Sequence, residues 1–308
     1  MPRIPRLLNY AESTVYHVMS RTALDGLPLG DVEKDYLLDT VKRFAKLYFV
    51  DILGFALMGN HFHLLVRMHP EKLYSDKEIQ QRLNRFYDGD KNIHQTEVPK
   101  YREKLSCLSE LMKDIKQRFT RQFNKKNKRK GYFWGQRFKS VIVENGDTLI
   151  NCLAYIDLNP VRAGIVEQPE DYRWNTLGYL IQTKNKDSLL TLEFGLPNEE
   201  KLSQAKRIQS YRQFVYEIGV LPTEKGKSLA EHHLDTHQKK GFQITRVDYF
   251  KYRTRYFTDS GVIGSKKFVQ DNFQRFKGYF DTKKEKVPVS INGLDGLYSL
   301  KRLATNIL

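Results

Sequence analysis

Long apolar runs, paired cysteines and acidic side chains are all in short supply in this sequence of 308 residues. No window approaches the ~20 consecutive apolar residues that a membrane span needs, so no transmembrane segment is expected. The opening MPRIPRLLNY lacks the apolar run of roughly 7 to 15 residues and the cleavage site of a secretory leader, and a cytoplasmic protein is expected. The two cysteines, Cys107 and Cys152, lie outside any CxxC spacing. A disulfide framework and a structural zinc knuckle are therefore both poorly supported. Internal repeats, low-complexity tracts and a glycine-rich βαβ phosphate loop are missing as well.

Acidic residues number 36 against 52 Lys and Arg, which leaves +16 at pH 7. That excess favours a polyanionic partner, with nucleic acid the leading candidate, although a basic surface with no specific partner would have the same composition.

The length exceeds the roughly 100 to 200 residues of a usual single domain, so two domains are expected. Thr14 to Ser20 mixes β-branched and aromatic residues and reads as a strand. Asp31 can cap a following helix whose apolar face recurs at Leu37, Val41, Phe44 and Tyr48. Phe49 to Leu57 and His61 to Arg67, parted by Met58, Gly59 and Asn60, read as a hairpin. A polar excursion over about 69–101 has breakers at Pro70, Gly89 and Pro99, with a short helix at Lys77 to Tyr87. Helical spacing returns from Leu105 to Lys126, a strand follows at Phe138 to Glu144, and Asp147 is a plausible cap for a helix that Pro160 must interrupt. The pattern predicts an α+β domain over 1–182, with a largely antiparallel central sheet flanked by helices. Residues 183–308 read as a helical C-terminal domain with a helix near Glu199 to Ile218, no chemical motif of its own, and the possible role of adding DNA contacts.

Three signals carry chemistry. His61 and His63 alternate with Phe62 on a strand, so both imidazoles project to one face and can hold one divalent ion. Alone, an HxH tripeptide is more often two histidines on a half-exposed sheet. Tyr155 and Asn159 are four apart, on one face of a helix; a tyrosine oxygen can attack phosphorus and an amide oxygen can complete a metal shell. Alone, these too read as a packed tyrosine and a helix-ending asparagine. Finally, Met112 to Lys139 holds 11 Lys and Arg against one acid, Asp114, interleaved with aromatics. Arg121, Lys125, Lys126, Lys128, Arg129, Lys130 and Arg137 there, with Arg162 further on, are candidate phosphate contacts. Trp134 is the candidate stacking platform, while Phe119 and Phe138 suit the core.

In order along the chain, HFHLLV, GYFWGQRFKS, YIDLNPVRAGIV and DYRW together resemble the REP-associated tyrosine transposases, relatives of the single-tyrosine HUH transposases of bacterial insertion sequences. The resemblance covers about residues 8 to 180. It implies a ferredoxin-like or RRM-like fold, His61 and His63 as metal ligands with Asn159 as a third, and Mg²⁺ or Mn²⁺ as the ion. It further implies Tyr155 as the nucleophile and a single-stranded hairpin or palindromic DNA repeat as the substrate, in a nucleoid-associated protein. The product would be a 5′-phosphotyrosine and a free 3′-hydroxyl. His17, in YHVMSR, matches a recurrent position without an assigned chemistry. The excursion at 69–101 and the long C-terminal region depart from compact members. Two other readings stay open: a non-catalytic nucleic-acid-binding or regulatory protein on the same fold, and a hydrolase that uses water in place of Tyr155.

Overall fold

Four strands and the helices between them build the frame of the site: β1 (Thr14–Arg21), α1 (Asp31–Ala45), β2 (Val50–Leu57), β3 (His61–Met68) and β4 (Lys139–Val143). The computed structural model describes residues 6–88, 94–220, 256–280, 287–291 and 296–301. β2 and β3 form the expected hairpin, β1 pairs antiparallel with β3 and with β4, and the sheet order over these strands is β2-β3-β1-β4. That order and chain path are those of a ferredoxin-like sheet, as expected. β-branched and aromatic residues on both faces explain why nearly every position of β1 to β3 is buried.

Between β3 and β4 lie α2 (Asp76–Phe86), α3 (Val98–Ser106) and α4 (Leu108–Lys126). Ser75 and Glu78 form a reciprocal capping box at the start of α2. The single helix expected over Leu105 to Lys126 is two, because Cys107 takes an extended conformation and separates α3 from α4. After β4 come α5 (Asp147–Asp157), α6 (Asn159–Arg162), α7 (Thr176–Thr183) and α8 (Gln204–Gly219). Gly146, at φ +77°, caps α5 in place of Asp147, which occupies the first turn. α5 ends at Asp157 and Pro160 sits in the first turn of α6, where its missing N–H costs nothing. α8 starts later than Glu199, since the Ser203 hydroxyl accepts from Lys206 N–H and sets the cap, while the Glu199 carboxylate accepts from the backbone N–H groups of Phe194 and Gly195.

The C-terminal part carries helices as expected, α8, the single turn α9 (Tyr256–Asp259) and α10 (Lys266–Arg275). It also supplies three strands that the sequence did not disclose: β5 (Ser260–Gly264), β6 (Val289–Ser290) and β7 (Tyr298–Lys301). β5 pairs parallel with β4, and the described sheet has seven strands in the order β2-β3-β1-β4-β5-β7-β6. Among the described residues no helix is long and apolar enough to cross a membrane.

The two faces of the sheet are covered differently. Phe62 meets Trp134 edge-on, and Trp134 meets Phe119 of α4, which places α4 on one face. His63 meets Tyr155, which places α5 on the other. α5 is buried from Thr148 to Asp157, as an element covered on several sides must be. It comes close to β2 at Gly54, where the register shifts; a Cβ there would lie 2.5 Å from Leu153 Cδ2 and 2.8 Å from Thr176 Oγ1. At its other end the fully buried Asp157 accepts from the Tyr211 hydroxyl of α8 and from Leu177 N–H of α7. Burial pushes its carboxyl up to about 7. These ties fix the last turn of α5, where Tyr155 stands.

Candidate active site: two histidines and a tyrosine in one cleft

The register of β1 on β3 sets Arg21 opposite His61 and Met19 opposite His63. The imidazoles of His61 and His63 share a face as expected, with ring centroids 5.1 Å apart. The Tyr155 ring stands 5.8 Å from that of His63, edge to face, and stacks on Phe257 at 5.4 Å. His61, His63 and Tyr155 line a cleft of about 580 Å³ together with Asn159, Arg21, Arg137 and Lys139. Tyr155 is only 7% exposed, so its packing is fixed.

Both histidines are held neutral. Burial, and then Arg21, pulls His61 down to about 4. Burial, and then His17 and His61, pulls His63 well below the usual imidazole range. Neutral imidazole is the form that binds metal. Asn159 follows the break in α5, yet its Nδ2 donates back to Tyr155 O at 2.9 Å and to Ile156 O at 3.3 Å. The amide nitrogen is thereby committed to backbone, and Oδ1 is the side-chain atom left to act as a donor to a metal. Among the described residues no three His, Cys, Asp or Glu side chains converge as a metal group. Two neutral imidazoles and one amide oxygen nonetheless suit a divalent ion that keeps positions for water or phosphate oxygen.

Arg162, expected at the phosphates, lies against the tyrosine. Its Nη1 donates to Tyr155 O at 3.2 Å, and its guanidinium carbon is 5.4 Å from the ring centroid. Burial lowers it to about 10, still cationic at neutral pH.

A second groove, of about 610 Å³, adjoins through Arg137, which lines both. Arg6, Lys116, Arg121 and Tyr132 flank it over a floor that includes Phe133 and Trp134. Trp134, expected as a stacking platform, is packed inside instead: it is 7% exposed, lies against Phe62 and Phe119, and its indole N–H is spent on Lys116 O at 3.1 Å. An indole that finds an acceptor inside the protein is comfortable when buried. Tyr132, 87% exposed, is the free aromatic face. Lys125, Lys128, Lys130, Arg121 and Arg137 are exposed, whereas Lys126 pairs with Glu33 at 2.8 Å and Arg129 donates to Asn124 Oδ1 at 3.0 Å. Sequence reasoning missed Arg21 beside the histidines and Arg6 in the groove, while Lys139 and Lys116 fall in the basic stretch it marked without being named as contacts. Only the strand alternation from His17 through Met19 to Arg21 hinted at the first.

No protein-family model matches the chain, and no curated protein does. Among solved structures it is similar to one of a REP-associated tyrosine transposase bound to a REP hairpin, with 16% identity over 63% of this chain and 90% of that one, at a TM-score of 0.42. A likeness so distant says nothing about the residues of the cleft.

Proposed function

We propose that this protein is a metal-dependent endonuclease and strand transferase of single-stranded DNA, acting on hairpin or REP-type repeats, with Tyr155 as nucleophile. One observation carries the reading. A phenol, two neutral imidazoles and an amide line the same cleft, with cations at Arg21, Arg137 and Lys139.

A phosphodiester repels nucleophiles by its charge, so catalysis needs charge neutralisation and an aligned attacker. The Tyr155 oxygen bonds to phosphorus as the P–O3′ bond breaks. The phenol loses its proton and the 3′ oxygen gains one, which leaves a 5′-phosphotyrosine and a 3′-hydroxyl with no net redox change. The guanidinium of Arg162, beside the ring, offsets negative charge as the phenol ionises. Mg²⁺ or Mn²⁺, held by His61, His63 and Asn159, would polarise a non-bridging phosphate oxygen. Because the phosphoester bond is retained on the protein, the step can reverse onto another 3′-hydroxyl, which is strand transfer.

Arg137 lies between the cleft and the second groove, so a strand leaving the cleft meets Arg121 and Lys116 with its phosphates and Tyr132 with a base. The test is a labelled single-stranded hairpin incubated with the protein and Mn²⁺ and run on a denaturing gel. A covalent band that disappears with chelator and in the His61→Ala, His63→Ala double variant is expected. Tight binding with no band would establish the non-catalytic reading instead.

The groove adds a pH dependence. Burial, and then Arg6, lowers Lys116 to about 8. The amine is mostly charged at pH 7 and mostly neutral at pH 9, so raising the pH removes one cation from the groove. Hairpin affinity is expected to fall about 2- to 5-fold over that range, with the salt slope shrinking by about 0.6 to 0.7. Lys116→Arg, which stays protonated, should abolish the effect. An equal fall in that variant would exclude Lys116 as its source.

A further inference from the structure

His17 lies wholly inside the protein, at 0% exposure, and is part of a chain of hydrogen bonds that ends at His63. Its Nδ1 is 2.8 Å from the carbonyl oxygen of Phe257, a residue of α9 that lies 240 positions away in sequence. Its Nε2 is 2.9 Å from Nδ1 of His63, itself 3% exposed.

The first contact decides the rest. A carbonyl oxygen only accepts, so the His17 proton must sit on Nδ1. A neutral imidazole has one N–H, so His17 Nε2 is a lone pair and can only accept. The 2.9 Å contact therefore takes its proton from His63 Nδ1, and His63, in turn neutral, keeps a bare lone pair on Nε2. Free histidine favours the opposite tautomer, with the proton on Nε2, in which that nitrogen could not bind a metal.

His61 reaches the same state by a local route. Its Nδ1 is 2.8 Å from Asn60 Oδ1. The guanidinium of Arg21, which only donates, faces the same atom at 3.5 Å, so that atom is the oxygen and not the amide nitrogen. His61 Nδ1 must then donate, and its Nε2 is bare as well. Both histidines of the HxH pair are thus held in one tautomer by acceptors on their far side, as metal-binding histidines are.

We infer that His17 and the Phe257 carbonyl are positioning groups that fix His63 with its Nε2 lone pair bare, so that the C-terminal segment completes the catalytic cleft. The inference deepens the metal-dependent reading and rests on it for its purpose. α9 immediately precedes β5, so the strand that pairs with β4 is also what carries the Phe257 carbonyl to His17. The same residue stacks its ring on Tyr155. One segment thereby touches both the nucleophile and the support of a metal ligand.

The test reads the tautomer directly, by two-bond ¹H–¹⁵N correlation of the imidazoles in the full-length, metal-free protein, with His63 assigned by its loss in His63→Gln. His63 is expected with its proton on Nδ1 in the wild type and on Nε2 in His17→Leu. His17→Gln, which keeps an acceptor near the original Nε2 position, should restore the wild-type pattern. Mn²⁺ affinity, followed by the electron paramagnetic resonance of the free ion, should fall about 10- to 100-fold in His17→Leu and recover in His17→Gln. A wild-type His63 protonated on Nε2 would overturn the inference even if His17→Leu failed to fold, and so would a His63 tautomer unchanged in a folded His17→Leu. The tautomer is read without metal or DNA. A missing covalent adduct beside the expected tautomer would therefore count against the proposed function and leave the relay standing.

Discussion

Tyr155→Phe is expected to abolish the covalent protein–DNA band while leaving hairpin affinity within about twofold of wild type. The substitution deletes one oxygen and keeps the ring. That ring contributes the packing: it stacks on Phe257 at 5.4 Å and meets His63 at 5.8 Å and His17 at 5.9 Å. The backbone carbonyl of residue 155 still accepts from Asn159 and Arg162, so the turn between α5 and α6 keeps its ties. The candidate phosphate contacts are cationic side chains of the cleft and of the adjoining groove, which the substitution leaves in place, and Arg162 keeps its bond to the backbone carbonyl of residue 155, which is why affinity should hardly move. Turnover is another matter. Removing a nucleophile that works as part of a unit typically costs orders of magnitude, and a fall of at least about 10³-fold in strand cleavage is expected. Tyr155 is the single phenol among the cleft-lining residues. Cleavage that persists in the phenylalanine variant without a covalent band would transfer the chemistry to a water nucleophile, leaving Tyr155 a packing residue.

Much of the frame was legible because it is written in local periodicity. β-branched and aromatic content in TVYHVMSR and an apolar stretch of strand length in HFHLLVRM mark strands, and the three- and four-residue spacing of Leu37, Val41 and Phe44 marks α1; the structure has β1, β3 and α1 at those places. Period two also decides that His61 and His63 share a face. Where long-range pairing decides, the sequence is silent. SGVIG is short and glycine-flanked, and it becomes β5 only because β4 offers a parallel partner more than a hundred residues upstream. Trp134 looks like a free aromatic in a basic run, and it is buried because Phe62 on β3 and Phe119 on α4 close around it.

The same division runs through the cleft. Tyr155 and Asn159 were paired by helical spacing, yet the helix stops between them at Asp157. They remain together because the Asn159 amide bonds back to the Tyr155 carbonyl, a side-chain substitute for the missing helical bond. His17 carries no signal of its role, since the acceptor that orients it is a backbone carbonyl and every residue has one.

Gly178→Ala is expected to destabilise the protein by about 3 kcal/mol or more, against the sign that helix propensity alone would give. Gly178 lies in α7, and replacing a helical glycine by alanine ordinarily stabilises by about 1 kcal/mol. Here a Cβ would lie 2.1 Å from Tyr172 O, 2.7 Å from Tyr172 C and 3.0 Å from Asn175 Oδ1. The first two are backbone atoms, which cannot swing aside as a side-chain tip can. Nor can the segment that bears them shift freely. The Tyr172 hydroxyl donates to Leu57 O at 2.6 Å, and Leu57 N–H donates to Trp174 O at 2.8 Å, so the segment is pinned to the end of β2. Asn175, fully buried, accepts from Gly178 N–H at 2.7 Å as the cap of α7 and donates to Asp157 O at 3.1 Å and Pro169 O at 2.8 Å. Overpacking against yielding neighbours costs about 1 to 3 kcal/mol, and a pinned backbone puts this case at or above the top of that range. Relief by displacement would pass through Asn175 to Asp157, two residues from Tyr155. The variant should therefore lose covalent adduct at temperatures where it is still folded, as well as melting earlier by circular dichroism. A melting temperature equal to or above that of wild type would mean that α7 does not press on Tyr172, and the path from this glycine to the nucleophile would be lost with it.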